Sequence, residues 1–150
     1  LRDSALAVAG ALLALGLRPR EAVALPVSLL RGTRRGPDHV TYPIPPADGA
    51  QIDRDNGVIM VRWQGHLYAF NISCPHQNTV LKWLSDEGRF QCPKHKSRYQ
   101  PDGTFISGRA TRGMDRFPIT REQGNILIDL NRLFEQDKDR EDWDKAMLAV

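Results

Sequence analysis

The chain has 150 residues, of which 41% are hydrophobic and 26% charged, a composition typical of one globular domain rather than of a disordered protein. Its net charge is only +3, and no segment with helical periodicity interleaves basic and aromatic residues, which argues against nucleic acid as a partner. Two cysteines permit at most one disulfide, so a disulfide framework does not hold this fold together.

The chain opens with an apolar segment. No charged residue occurs from Ser4 to Leu17, while Arg2 precedes this stretch and Arg18 follows it. A helix that crosses a bilayer needs about 20 apolar residues, whereas this shorter stretch is typical of the apolar region of an export signal. We predict that residues 1–24 are an uncleaved export signal, similar to the end of a twin-arginine signal, or a membrane-anchor helix. An ordinary buried helix is the alternative.

Residues 25–50 contain five of the ten prolines of the chain. Proline disfavours helical conformation in the residue before it, and proline-rich segments are extended. We therefore predict a linker here, between the apolar segment and the following domain.

Residues 51–130 consist of short runs rich in Val, Ile, Phe, Tyr and Trp. Turn signals separate these runs, at Gln64-Gly65, Asp102-Gly103 and Gly124-Asn125. This pattern predicts an all-β domain, a small antiparallel sandwich or barrel.

Residues 131–150 form a charged C-terminal extension with four basic and six acidic residues. Its apolar residues are too sparse for a core helix. We predict a peripheral helix or strap that packs on the domain or on a neighbouring subunit.

The residues most able to bind a metal lie in two short groups. Cys74 and His76 are separated by one residue, fifteen residues follow, and then Cys92 and His95 are separated by two. A disulfide between the cysteines would leave both histidines unexplained. A tetrahedral zinc site accepts this ligand count, but structural zinc sites commonly pair like residues in sequence. Mixed pairs favour a two-iron, two-sulfide cluster, because each loop then reaches both irons.

The pattern C-x-H, fifteen residues, C-x-x-H resembles the Rieske iron-sulfur motif, and the resemblance covers roughly residues 52–130. It implies a small antiparallel β domain with cluster-binding loops at one tip. It also implies a 2Fe-2S cluster with Cys74 and Cys92 on one iron and His76 and His95 on the other. Neutral imidazoles in place of two thiolates raise the reduction potential to about −150 to +300 mV, against about −400 mV for all-cysteine plant-type ferredoxins.

Two further residues match positions that tune the cluster in high-potential members of this family. There, a Ser and a Tyr at the offsets of Ser97 and Tyr99 donate hydrogen bonds to a bridging sulfide and to a cysteine sulfur. Such donors stabilise the reduced cluster. The resemblance therefore implies a potential in the upper half of the range.

Three departures separate this chain from quinol-oxidising Rieske proteins. Those proteins carry a disulfide where this chain has Thr79 and Lys94, and a Leu where it has Gln77. Their G-P-A-P loop over the cluster corresponds to residues 108–111, Gly-Arg-Ala-Thr. Because all three changes fall around the tip, the sequence argues against quinol oxidation.

The predicted tip is rich in basic residues, namely Lys82, Lys94, Lys96, Arg98, Arg109 and Arg112. We predict that Gln77, Lys94, Lys96 and Arg109 form a docking surface for an acidic patch near the redox centre of a partner.

No catalytic acid, base or nucleophile group appears outside the predicted ligands. The sequence therefore predicts a non-catalytic electron-transfer subunit of a redox complex on the periplasmic face of a bacterial cytoplasmic membrane. A c-type cytochrome or another haem protein is the expected acceptor. The alternatives are a soluble Rieske ferredoxin of a ring-hydroxylating oxygenase and a zinc-stabilised binding module.

Overall fold

The computed structural model describes residues 27–29, 32–34 and 38–150 of the chain. Over these residues the chain is built from short β-strands, with one α-helix (Arg140–Lys145) and one turn of 3-10 helix (Ser85–Glu87). The predicted all-β fold class is thus confirmed.

The strands form three sheets. The central sheet contains, in spatial order, β1 (Val27–Leu29), β4 (Gly49–Asp53), β5 (Val58–Trp63), β6 (His66–Asn71) and β13 (Leu148–Ala149). The base sheet contains β11 (Ile119–Glu122), β12 (Asn125–Asp129), β3 (His39–Pro43) and β2 (Thr33–Arg34). The tip sheet contains β10 (Phe105–Ser107), β9 (Arg98–Tyr99), β8 (Arg89–Gln91) and β7 (Lys82–Leu84). Neighbouring strands are antiparallel, apart from the parallel pair β1 and β4.

The central sheet is buried on both faces, which explains the unbroken apolar run in β5. Successive side chains of a strand point to opposite faces. Val58 and Met60 pack in the core shared with the base sheet, while Ile59 and Val61 pack in the core shared with the tip sheet. A strand enclosed in this way reads as continuously hydrophobic rather than alternating.

The core between the central sheet and the tip sheet contains both cysteines. Phe70 and Phe90 meet there edge to face, with ring centroids 6.1 Å apart, and both are fully buried. Burying a side chain of this size contributes about 1.5–3 kcal/mol. The tip sheet is therefore attached to the domain through the same apolar residues that surround Cys74 and Cys92.

The turn predicted at Gln64-Gly65 is confirmed, and it joins β5 and β6 as a hairpin. Gln64 and Gly65 have φ values of 48° and 76°, in the left-handed region that two-residue hairpin turns require. This turn aligns Trp63 with His66 at the start of the ladder.

The linker predicted over residues 25–50 differs from the structure. The described residues of this segment belong to the folded domain, because β1 pairs with β4 and β2 with β3. The strand β3 in turn pairs with β12 and buries Val40 and Tyr42 completely or nearly so. The Tyr42 hydroxyl also donates a hydrogen bond of 3.0 Å to Asp53. In His39–Pro43 buried Val40 and Tyr42 alternate with more exposed residues, and this pattern specifies a strand despite the nearby prolines. Pro43 is compatible with the strand because it lies at its end.

The C-terminal extension is a strap that contains both a helix and a strand. The helix Arg140–Lys145 buries Trp143, and β13 pairs with β6 at the edge of the central sheet. The predicted anchor helix over residues 1–24 lies outside the described residues. Within the part of the chain that the structure describes, no helix has the length and apolar character to span a membrane.

Candidate metal centre

The first cluster loop, residues 74–79, closes on itself through its backbone. The N–H of Cys74 donates to the carbonyl of Thr79 at 2.8 Å, and the N–H of Asn78 donates to the carbonyl of Cys74 at 2.9 Å. Asn78 has a φ of 49°, which asparagine tolerates better than most residues. The loop is therefore a single turn with Cys74 at its start and His76 at its outer end.

The second cluster loop, residues 92–97, repeats this backbone. The N–H of Cys92 donates to the carbonyl of Ser97 at 2.8 Å, and the N–H of Lys96 donates to the carbonyl of Cys92 at 3.0 Å. Lys96 has a φ of 59° at the position equivalent to Asn78. Because the turns match, each cysteine is presented in the same way, although His95 lies one residue further from its cysteine than His76 does.

Cys74 is fully buried and carries a free thiol. Its Sγ lies 3.2 Å from the hydroxyl of Tyr99, which is also fully buried. Burial and then the contact with Cys74 raise the pKa of Tyr99, so the phenol stays protonated and its O–H can donate to sulfur. This places the predicted tuning residue Tyr99 against a cysteine of the opposite loop.

Cys92 is likewise buried and free. Burial alone would raise the pKa of Cys92, but backbone N–H groups of His95 and Lys94 donate to the sulfur, and the Cys74 and Thr79 side chains add to their effect. The net result is a pKa below the ordinary value for this thiol. A metal binds the thiolate form, which this environment favours.

The two histidines face each other across the loops. Their Nδ1 atoms are 3.2 Å apart, and their rings meet edge to face with centroids 4.7 Å apart. Partial desolvation, and then electrostatic repulsion from the His76, Lys94 and Arg109 side chains, lower the pKa of His95. The neutral imidazole that a metal requires is therefore the favoured form.

The four predicted ligand residues thus meet as two like pairs, thiol with thiol and imidazole with imidazole. In the described part of the chain, no group of three or more His, Cys, Asp or Glu side chains is arranged to hold a single ion. One pair of sulfurs beside one pair of nitrogens fits a two-iron cluster, with a different pair on each iron.

A third loop, residues 108–114, lies over the second cluster loop. The backbone N–H groups of Arg109 and Ala110 both donate to Oγ of Ser97, at 3.1 and 3.0 Å. Gly108 has a φ of 117°, and a Cβ there would lie 2.4 Å from Cα of Ser97, so only glycine fits. With both N–H groups donating to its oxygen, the buried Ser97 hydroxyl is free to donate its own proton elsewhere.

The residues of the predicted docking surface are exposed. They are Gln77, Lys94, Lys96 and Arg109. A shallow cavity of about 160 Å³ lies between the first cluster loop and the third loop, lined by His76 and Arg109 among others.

Arg112, one of the basic residues of the predicted tip, does not extend this surface. Its side chain is 14% exposed and is paired with Asp115, with Glu135 at 3.2 Å and with Asp137 at 3.4 Å. Two of these carboxylates come from the C-terminal strap. The sequence carried no signal for this arrangement, because charges more than twenty residues apart show no periodicity that would pair them.

Like pairs of donors at the tip of a small antiparallel β domain are typical of an iron-sulfur protein with both cysteine and histidine ligands. Residues 44–118 match the family model of the Rieske 2Fe-2S domain. The chain belongs to this family, and its cofactor is a 2Fe-2S cluster.

Curated relatives are iron-sulfur subunits of cytochrome b6-f complexes. The chain is 34% identical over 61 residues to the chloroplastic subunit of Bigelowiella natans, covering 41% of this chain and 24% of that protein. It is 30% identical over 113 residues to the subunit of a Synechococcus strain, covering 74% of this chain and 62% of that protein. The chain thus spans less than two thirds of the length of these relatives.

Among solved structures, the chain matches the cyanobacterial plasma membrane Rieske protein PetC3 from Synechocystis. The TM-score is 0.44 and the identity 23%, over 61% of this chain and 85% of that one.

Proposed function

We propose that this chain is a one-electron carrier whose cluster is held by Cys74 and Cys92 on one iron and by His76 and His95 on the other. The observation that carries the proposal is the meeting of like donors from two loops with the same backbone turn. When bound, such a cluster accepts and releases single electrons at a relatively high potential.

The two sides of the proposed site differ in their exposure to solvent. The cysteine side is buried at 0% and 1% exposure, which keeps water from the sulfurs. The histidine side is half-buried, with the Nδ1 atoms of the two rings facing each other. An electron would therefore enter and leave through the imidazole rings, the part of the site nearest to a partner.

The hydroxyl groups of Tyr99 and Ser97 support a reduction potential in the upper half of the Rieske range. Tyr99 lies in hydrogen-bond range of Cys74, and two backbone N–H groups hold Oγ of Ser97 so that its hydroxyl hydrogen is directed away from the third loop. Donors of this kind favour the more negative, reduced cluster.

We further propose that the chain works as a subunit of a membrane-associated bacterial redox complex, on the periplasmic face of the cytoplasmic membrane. The names of the cytochrome b6-f relatives support a role as a subunit of a redox complex. Residues 1–24 would supply the anchor.

The partner that accepts the electron is proposed to be a c-type cytochrome or another haem protein with an acidic patch. Exposed Lys94, Lys96 and Arg109 surround the histidine side and carry no ion pair with any described carboxylate. Unneutralised positive charge around the exit point attracts an acidic surface and makes association depend on salt.

Iron and acid-labile sulfide analysis of the purified protein tests the cluster, together with EPR spectroscopy after reduction. We expect equal amounts of iron and sulfide, and the spectrum of a reduced two-iron centre with mixed ligands. A colourless protein with one zinc ion per chain would refute the proposal.

The midpoint potential and membrane fractionation separate the electron-transfer subunit from the soluble ferredoxin alternative. A subunit of a membrane complex is expected in the membrane fraction with a potential in the upper half of the range. Recovery in the soluble fraction with a potential near its low end would favour the ferredoxin.

A further inference from the structure

The third loop is held from outside by the C-terminal strap, residues 131–150. The guanidinium of Arg112 forms ion pairs with Glu135 at 3.2 Å and with Asp137 at 3.4 Å. At 14% exposure this cation is shielded from water, so its ion pairs are stronger than those of a surface arginine.

The next two residues of the third loop are held as well. The backbone N–H of Gly113 donates to Oε1 of Gln136 at 2.6 Å, and the carbonyl of Met114 accepts a bond of 2.7 Å from Nε1 of Trp143. A Cβ on Gly113 would lie 2.8 Å from the backbone carbonyl oxygen of Gly103, which cannot move aside as a side chain can, so this position requires glycine. Three consecutive residues of the third loop therefore each contact the strap.

The strap is itself firmly attached beside this contact. Arg116 exchanges backbone hydrogen bonds of 3.1 and 2.8 Å with Phe134. Its guanidinium donates to the carbonyl of Trp143 at 2.7 Å and lies 3.5 Å from the centroid of that ring. Arg116 and Trp143 are both 3% exposed, so the strap is anchored in the domain at Phe134 and at Trp143.

At its other end the third loop contacts the proposed cluster site. The N–H groups of Arg109 and Ala110 donate to Ser97, the residue that closes the second cluster loop. Ala110 and Met114 pack in the same core as Cys74 and Cys92. Only Thr111 separates the segment held by the strap from the segment that contacts Ser97.

We propose that the strap holds the third loop against Ser97 and thereby sets the reduction potential of the cluster, with Arg112 and Gln136 as positioning residues. Two N–H donors fix the Ser97 oxygen and direct its hydroxyl hydrogen away from the third loop. Loosening the third loop lets water compete for these groups, so the hydroxyl no longer donates in one direction. This inference rests on the proposed ligand set.

The test uses the full chain with its cluster and the variants Gln136→Ala and Arg112→Gln. Gln136→Glu retains an oxygen acceptor for Gly113 and serves as the conservative variant. Lys145→Gln is the matched control, because this exposed strap residue pairs with Glu141 and, among the described residues, with no carboxylate at the third loop. The midpoint potential is measured by redox titration followed by EPR, with the rate of cluster loss in a chelator and the thermal unfolding midpoint.

We expect Gln136→Ala and Arg112→Gln each to lower the midpoint potential and to lose the cluster several-fold faster. Lys145→Gln should leave the potential unchanged. Gln136→Glu, which keeps an acceptor for Gly113 but adds a negative charge, should lose the cluster more slowly than Gln136→Ala does. If one of the two variants does not fold, the other decides the question. A cluster with unaltered potential and EPR spectrum in these variants, even with a lower unfolding temperature, would overturn the inference and leave the proposed function intact. Absence of any cluster in the unmodified protein would refute the proposed function itself.

Discussion

The two cluster loops have the same backbone but different surroundings. Both begin with a buried cysteine, and both turn back through a residue with positive φ. The fifth residue after the cysteine differs, since Thr79 is half-buried whereas Ser97 is fully buried under the third loop. The backbone turn alone is thus sufficient to hold a buried cysteine at the start of each loop, whereas only the second cluster loop is covered by the third loop.

Hydroxyl groups connect the two loops without a disulfide. Tyr99, which follows the second loop, lies against Cys74 of the first. Thr79 of the first loop contributes to the lowered pKa of Cys92 in the second. Each sulfur therefore has a hydroxyl neighbour from the opposite loop. Polar contacts and apolar packing hold the two cluster loops together in this chain, in the place of the disulfide of the quinol-oxidising Rieske proteins.

Removing either cysteine should have the largest effect on cluster binding, because the two loops hold their cysteines in the same way and each supplies one proposed sulfur ligand. Cys74→Ser and Cys92→Ser are each expected to abolish cluster binding, measured as iron content and as the visible and EPR spectra. Gln77→Ala, an exposed substitution in the first loop, should keep the full iron content. A wild-type spectrum in either serine variant would remove that cysteine from the ligand set.

Replacing Ser97 tests the difference between the loops. Ser97→Ala leaves the buried N–H of Ala110 without its acceptor, which costs about 1–3 kcal/mol in the free energy of unfolding. The matching change Thr79→Ala also removes a hydroxyl that faces Cys92, but it should cost less, because Thr79 is only half-buried and leaves no buried N–H without an acceptor. Urea unfolding of the cluster-loaded proteins measures both, and equal losses would show that the third loop adds no stability to the second.

Tyr99→Phe removes the hydroxyl that faces Cys74 and leaves the ring in the core. If this hydrogen bond is stronger in the reduced state by about 1.4 kcal/mol, the midpoint potential falls by about 60 mV. Redox titration gives the value directly. Phe105→Leu is a suitable control, because Phe105 packs beside Tyr99 without a polar contact to sulfur; an equal fall in that variant would assign the effect to packing.

The smallest expected effect concerns the residues with positive φ. Lys96→Asn gives the second loop the residue type that the first loop has at Asn78, and should stabilise the protein by about 0.5 kcal/mol, since asparagine tolerates this conformation better than lysine. The reciprocal change Asn78→Lys should destabilise it by a similar amount. Thermal unfolding midpoints measure both variants. Shifts of the same sign would show that positions 78 and 96 do not have equivalent backbone conformations.

The sequence by itself was sufficient for the class of fold and the composition of the candidate site. Spacing within a loop limits how far two side chains can lie apart, so Cys74 with His76 and Cys92 with His95 could be recognised from the order of residues alone. Alternating and continuous apolar runs likewise predicted the strands of the domain. The proline count led to a wrong prediction at His39–Pro43, because a count does not reveal that Val40 and Tyr42 share one face of a strand.

Only the tertiary structure decided what surrounds the site. It joined Arg112 to the strap rather than to the docking surface, laid the third loop over Ser97, and brought Tyr99 to Cys74. These contacts join residues from 12 to 25 positions apart. At such separations local spacing sets no geometry, and burial in a shared core determines which polar groups meet.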